Sequence, residues 1–369
     1  MPTTRRGVWD LQQVRDQYLA GEWEQINQLW SWGQNSSGQS GQNNTTQYSS
    51  PVQISGTTWS SITGSIIHSL ATKTDGTLWA WGSGANGRMG QNDTVQYSSP
   101  VQIPGTNWNR INSIGGNSIA TKTDGTLWTW GANNGALGQN TTTSQSSPVQ
   151  VPGTTWSSID AGNGYSLATK TDGTLWGWGL NQFGELGQTN TTRYSSPVQI
   201  PGTTWSFVSS GRDNSSATKT DGTLWSWGQN AYGQLGQNNT TQYSSPVQIP
   251  GTTWSSISAG YRHNLATKTD GTLWSWGYNN SGGLGQNNLT YRSSPVQIPG
   301  TTWSSISAAD RNSLATKTDG TLWSWGRNIV GELGQNNLTY RSSPVQIPGT
   351  TWSFIGGYNH SLAIKSLIN

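Results

Sequence analysis

The chain contains no cysteine, which excludes a disulfide framework, a zinc–thiolate site and a cysteine nucleophile. It contains no run of about 18 apolar residues, so nothing in it reads as a membrane-spanning helix and no membrane insertion is expected. Charge is scarce: 19 basic and 16 acidic residues give a net charge of +3. There is no basic stripe of the kind nucleic-acid binders carry, so nucleic acid is not an expected partner. Hydrophobic residues make up 31% of the chain, with only 3 Phe and 2 Met. That argues against a large α/β enzyme, whose buried parallel strands read as Val/Ile/Leu runs. What is abundant is Gly, with 48 residues, and Trp, with 23. At 369 residues the chain exceeds the ~250–300 at which one hydrophobic core stops growing, so the core must be divided or repeated.

It is repeated. The string L-W-x-W-G occurs seven times, with its first Trp at Trp30, Trp79, Trp128, Trp176, Trp225, Trp274 and Trp323. The spacing is 49 residues, except for 48 between Trp128 and Trp176. A second marker, G-T-T-W with one Asn variant, places Trp59, Trp108, Trp156, Trp205, Trp254, Trp303 and Trp352. Every Trp beyond residue 25 belongs to one of these markers. Within one repeat, residues 254–301, four short strands are expected: W-S-S-I-S, N-L-A-T-K, T-L-W-S-W-G and P-V-Q-I-P. T-D-G-T reads as a tight, two-residue type of hairpin turn, because Asp and Gly tolerate φ > 0. A four-stranded unit of ~40–50 residues repeated around a ring is a β-propeller blade.

The two ends of the chain are complementary. The last repeat carries its first two strands and stops at Asn369; the first carries only its third and fourth, from Leu29 and from Val52. Residues 352–365 should therefore pair with residues 29–33 in a shared blade, closing the ring and leaving no free sheet edge. The expected fold is all-β: a seven-bladed propeller over residues 26–369, preceded by a short helix or extension over residues 1–25.

Through G-Y-R-H-N-L-A-T-K-T-D-G-T-L-W-S-W-G-Y-N-N-S-G-G-L-G at residues 260–285, and its copies, the chain resembles the regulator-of-chromosome-condensation repeat family. The resemblance implies a seven-bladed propeller and no single activity. Members include a guanine-nucleotide exchange factor on chromatin, a secreted β-lactamase inhibitor and many bacterial and viral proteins. No exchange-factor or inhibitor contact residues carry over position by position, and the near-identity of the blades departs from the divergent blades of the exchange factor.

The residue types that recur in every repeat read as structural. The two Trp of L-W-S-W-G point to one face of a strand and are expected to pack between blades; a sugar-stacking platform is the competing reading. The turn Asp residues read as turn chemistry. Lys73, Lys122, Lys170, Lys219, Lys268, Lys317 and Lys365 read as a solvated ring of charge or as partners of the turn Asp. His68, His263 and His360 occupy equivalent places in different blades, which suits a hydrogen-bonding residue at a strand start. No Ser/His/Asp set, paired acids or metal-ligand spacing stands out, so no enzyme, cofactor or metal is expected.

Variation between the repeats concentrates in two segments, between the first and second strands and after W-G. In an antiparallel meander both emerge on the same face of the ring, while T-D-G-T and P-G-T-T emerge on the other. A uniform scaffold with one diversified face is how binding proteins divide framework from loops; drift is the bland alternative. The expected partner-binding residues on the loop face are Tyr165, Phe183, Arg212, Tyr232, Tyr261, Arg262, Tyr278, Arg311 and Arg327, since Tyr and Arg are typical interface residues.

Residues 1–25 lie outside the repeat. Asp10 could cap a short helix presenting Leu11, Val14 and Tyr18. No apolar core follows Arg5 and Arg6, so neither a signal peptide nor twin-Arg export is expected. The segment at residues 4–23 is similar to short segments of marine bacteriophage structural proteins, through Gly7-Val8-Trp9, Leu11 and Trp23. The sequence is therefore read as a non-enzymatic virion component, such as a tail, fibre or capsid-decorating protein. Trp9, Leu11, Val14 and Tyr18 would dock it to a protein assembly, while the loops meet a host-surface protein or glycan. A soluble protein-binding module or inhibitor in the cytoplasm comes second, and an exchange factor third.

Overall fold

The computed structural model describes residues 25–368, in seven four-stranded antiparallel sheets. Six are continuous in sequence. Blade 1 comprises Trp59–Gly64, His68–Lys73, Leu78–Gly82 and Tyr97–Ile103, and blades 2–6 repeat this order from Trp108, Trp156, Trp205, Trp254 and Trp303. Blade 7 closes the ring as expected: Trp352–Gly357 and His360–Ile368 pair with Gln25–Gly33, which pairs with Tyr48–Ile54. The first strand of each blade is innermost and touches its counterparts on both sides around the full ring. The only helical turn among the described residues is the 3-10 segment Ala85–Gly87.

Local chemistry explains the hairpins, with one correction. The T-D-G-T turn is a three-residue loop. Gly76 N–H donates to Lys73 C=O at 3.0 Å and Lys73 N–H to Thr77 C=O at 3.0 Å, with Gly76 alone at φ +77°. This is a type I turn ending in a left-handed Gly. Asp75 does not adopt positive φ; it accepts from Thr77 N–H at 2.9 Å and Thr77 Oγ1–H at 2.7 Å. Those bonds hold its carboxyl below the usual carboxylate range. The Thr77 hydroxyl in turn accepts from Trp79 Nε1–H at 2.9 Å. All six copies of the turn repeat this network.

The cores lie between blades. Trp227 is fully buried against Leu167, Leu175, Leu186 and Ile200 of the preceding blade, with Trp205 and Val208 of its own. Each of the seven interfaces has such a cluster. A Trp ring buries ~150–250 Å², on the order of 4–6 kcal/mol of gross apolar burial, so a few rings per interface replace the missing aliphatics. The packing reading of the paired Trp is therefore right, with a difference within the pair. The second Trp is wholly buried and the first is half-buried.

The lysine ring is not ion-paired, and its partly exposed ammonium groups are held against aromatic rings. Lys219 Nζ lies 4.7 Å from the Trp205 ring centroid and 4.6 Å from that of Trp225, and five further blades repeat this double contact. Cation–π attraction to two indoles holds the ammonium. Among the described residues, no lysine comes within salt-bridge distance of a carboxylate.

Candidate interaction face

Register fixes which ends of the strands share a face. His68 pairs with Gly82 and Gly64 with Ser69, so the loops after the first and third strands emerge together. Leu78 pairs with Ile103 and Trp59 with Lys73, which puts the T-D-G-T and P-G-T-T turns at the opposite end. The strand Gln25–Gly33 begins at that invariant-turn end, where Gln25 pairs with Ile368.

On the loop face, six of the nine expected residues converge over blades 4–6. The guanidinium carbons of Arg212 and Arg262 lie 4.5 Å and 4.8 Å from the Tyr261 ring. Arg262 also lies 4.6 Å from the Tyr232 ring and donates to its hydroxyl at 3.0 Å. Tyr232 meets Tyr278 edge-on at 5.1 Å, and Arg311 lies 5.8 Å from Tyr278. The result is a ladder of interleaved guanidinium and phenol groups built from loops of three consecutive blades. Rings and cations hold one another in place, which lowers the ordering cost that flexible loops carry on binding.

The other three expected residues are placed differently. Tyr165 is a correction: it is wholly buried, and its hydroxyl donates to Asn214 C=O at 2.7 Å. It fills the position that His68, Asn117 and His263 hold in other blades, so it belongs to the framework. Arg327 is bound internally, 2.6 Å from Asp310 and 3.0 Å from Glu332. Phe183 is half-buried in a polar cleft of about 300 Å³ with Glu185, Arg212, Asp213 and Arg262. There burial pushes the Glu185 carboxyl up to about 7 and raises Asp213, the latter against the pull of Arg212 and Arg262.

Reading the sequence missed Tyr291, whose ring lies 5.0 Å from Tyr278 and 5.7 Å from Tyr232 and extends the ladder outward. Leu289, Leu338 and Tyr340 are exposed beside it or at the equivalent place in blade 6. The signal was present: L-T-Y-R replaces T-T-Q-Y in these two copies alone. The docking residues Trp9, Leu11, Val14 and Tyr18 lie outside the described residues.

The buried polar groups serve inter-blade bonding. The Glu185 carbonyl accepts from Trp227 Nε1–H at 2.7 Å and Ser215 Oγ–H at 2.8 Å, both of the next blade. The same carbonyl, Trp and hydroxyl recur at other junctions, for example Gln39 with Trp81 and Ser69. Because Ser69 donates to Gln39, it accepts from His360 Nε2 at 2.6 Å, which makes His360 a neutral donor. Desolvation depresses His68 well below its usual range, His263 to about 4 and His360 to about 3. In the central channel Asp160 accepts from Ser210 N–H of the next blade at 2.8 Å, and burial raises it to about 7. Asn112 and Ser209 hold the equivalent bonds at neighbouring junctions. Among the described residues no group of three or more His, Asp or Glu is arranged to hold a metal.

A closed seven-bladed ring with a uniform framework and one diversified loop face defines a propeller-type scaffold. The RCC1-like domain model matches residues 23–308 and the regulator of chromosome condensation (RCC1) repeat model matches residues 319–364, so the chain belongs to the RCC1-like family. The fold is shared with Prp20p of Saccharomyces cerevisiae at TM-score 0.84 and 20% identity, covering 93% of this chain and 92% of that one. The Prp20p structure is described with its binding to Gsp1p and histones, and yeast RCC1 is also known bound to Kap60. Human WBSCR16 matches at TM-score 0.81 and 21% identity, covering 93% of this chain and all of that one. No curated protein matches the chain by sequence.

Proposed function

We propose that this chain is a non-enzymatic protein-binding module whose partner docks on the loop face across blades 4–6. The observation that carries this reading is the Arg–Tyr ladder. Among the described residues Arg262 and Arg311 have no carboxylate at salt-bridge distance, whereas Arg327 is neutralised twice. Desolvated Arg and Tyr side chains are the usual anchors of a binding surface, and cations left without carboxylate partners favour an acidic protein surface. The protein partners in the structures of Prp20p support a binding role of this general kind.

Residues 1–25 form a docking extension to the propeller of residues 26–369 in this reading. They would join it to a larger assembly at the invariant-turn end, where the strand Gln25–Gly33 starts. A virus-particle component displaying its loops to a host-surface protein or glycan is the finer form of the proposal. It rests on the similarity of residues 4–23 to phage structural proteins. Fractionation tests it: the chain should co-purify with particles, and deleting residues 1–24 should leave a folded ring that no longer does so. Absence from every particle fraction overturns that form and leaves the soluble module. An exchange-factor role is addressed by nucleotide release from small GTPases, with no stimulation expected.

A further inference from the structure

The positions that vary least among the seven repeats line a groove between consecutive blades, away from the loop face. At the junction of blades 1 and 2 this groove holds about 440 Å³ between Gln91, Pro104, Trp108, Lys122, Trp128 and Pro148. The next junction has an equivalent groove of about 450 Å³, and the junction closing the ring one of about 320 Å³. At every junction the sequence supplies the same Gln, Trp, Lys, Trp and Pro. The Pro before G-T-T-W is replaced once, by Ser55.

Framework packing accounts for the buried Trp of each junction and leaves the groove's own features unexplained. Trp128, like the first Trp of L-W-x-W-G in every copy, is only partly buried, whereas the other two Trp of each repeat are buried almost completely. Lys122 Nζ sits between two indole rings, 4.7 Å and 4.6 Å from their centroids, and pairs with no described carboxylate. The Gln91 side chain is pre-oriented, donating to Gln102 C=O at 2.9 Å. Flat apolar surface, a fixed amide and an ammonium with spare donors are what a pyranose ring needs. Its C–H face stacks on apolar rings while its oxygens accept from the nitrogen donors.

We propose that the inter-blade grooves are equivalent pyranose-binding sites, so that the ring binds glycans multivalently from a surface separate from the loop face. Each site alone is weak; several on one ring gain by effective concentration when the glycan is repetitive or displayed densely. The ammonium would serve a hydroxyl oxygen of a neutral sugar or the carboxylate of a uronic acid, and the probe distinguishes them.

The test is calorimetric titration of the full chain with maltopentaose, cellopentaose, chitopentaose and oligogalacturonate at millimolar concentration. At least one should bind with several sites per chain. Replacing Lys122→Gln and Lys170→Gln together should lower the stoichiometry by two sites, with a cooperative but lowered melting transition because each change also removes cation–π contacts to two indoles. Ser147→Trp, which fills one groove and keeps its cation, should remove one site and serves as the second variant if the lysine changes impair folding. Absence of binding by all four probes overturns the proposal. So does a single site, or a stoichiometry that neither variant changes.

Discussion

The two faces of the ring are built from the same repeats and treat them in opposite ways. At the invariant-turn face, Trp205 N–H donates to Gly173 C=O of the preceding blade's turn at 3.0 Å, and the same bond joins other neighbouring blades. The turn Gly carbonyl and the Trp amide are used at each of these junctions, so a change in the turn of one copy must fit the next blade. The loops of the other face have more freedom. Their inner parts bond to the next blade, through carbonyls that accept from Trp and Ser and through amides such as Asn43 N–H donating to Ser98 C=O at 2.7 Å, while the tips diverge into Arg and Tyr over blades 4–6. Sevenfold repetition makes a framework, and recognition arises where individual copies break the repetition.

The largest test of this contrast is closure. Deleting residues 352–369 removes two strands of blade 7, including Trp352, Leu362 and Ile364 from two junction cores. Thermal melts should show loss of the cooperative transition, whereas deletion of 1–24 should leave it. Next come single framework side chains. Trp227→Ala should destabilise by about 3–5 kcal/mol, the range for large-to-small core changes. Trp225→Ala should cost clearly less, because that side chain is only partly buried; equal losses would refute the division of roles within the pair.

On the loop face the expectation reverses. Arg262→Ala or Tyr232→Ala should leave the melting temperature nearly unchanged and weaken partner binding by about 2 kcal/mol, roughly 30-fold. Surface titration against the captured partner measures this, and a loss of stability equal to that of a core Trp would move the ladder into the framework.

Proton linkage separates the buried groups. His263 and His360 titrate in the folded ring near 4 and 3, below the ~6.5 of an unfolded His. Their contribution is complete above about pH 6.5 and is lost as pH falls through the folded values. Asp160 and Glu185 are raised to about 7, so stability linked to their protonated forms is lost as pH rises from about 4 through 7. Between these limits the two effects oppose each other. His263→Asn, the residue found at the equivalent Asn117, should reduce acid lability in melts between pH 6.5 and 4. Asp160→Asn, the residue at the equivalent Asn112, should flatten the decline toward pH 8.

The smallest effect concerns backbone strain. Thr204 sits at φ +67°, in the left-handed region unfavourable to a β-branched residue, whereas blade 2 places Asn107 there at φ +65°. Thr204→Asn should stabilise by up to about 1 kcal/mol, readable as a small rise in melting temperature.

What the sequence determined by itself is the architecture. A period of 49 residues with strand-length apolar segments permits a ring of sheets, and half-repeats at the two ends permit only their mutual pairing. Asp–Gly turns and paired Trp follow from local geometry, which a short stretch of sequence contains. The sequence also marked the loops that vary, and six of its nine chosen residues meet. Only the tertiary structure decided which of them are available. Tyr165 looks like a loop residue by position, yet the next blade's Asn214 carbonyl draws its hydroxyl inward. Arg327 looks free, yet Asp310 and Glu332 neutralise it. Lys219 looks like a partner for the turn Asp, yet two Trp rings from separate strands hold its ammonium. For Tyr165 the deciding neighbour lies in the next blade; for Arg327 and Lys219 it comes from other strands and loops of the same blade, and these contacts exist only once the strands have paired and packed.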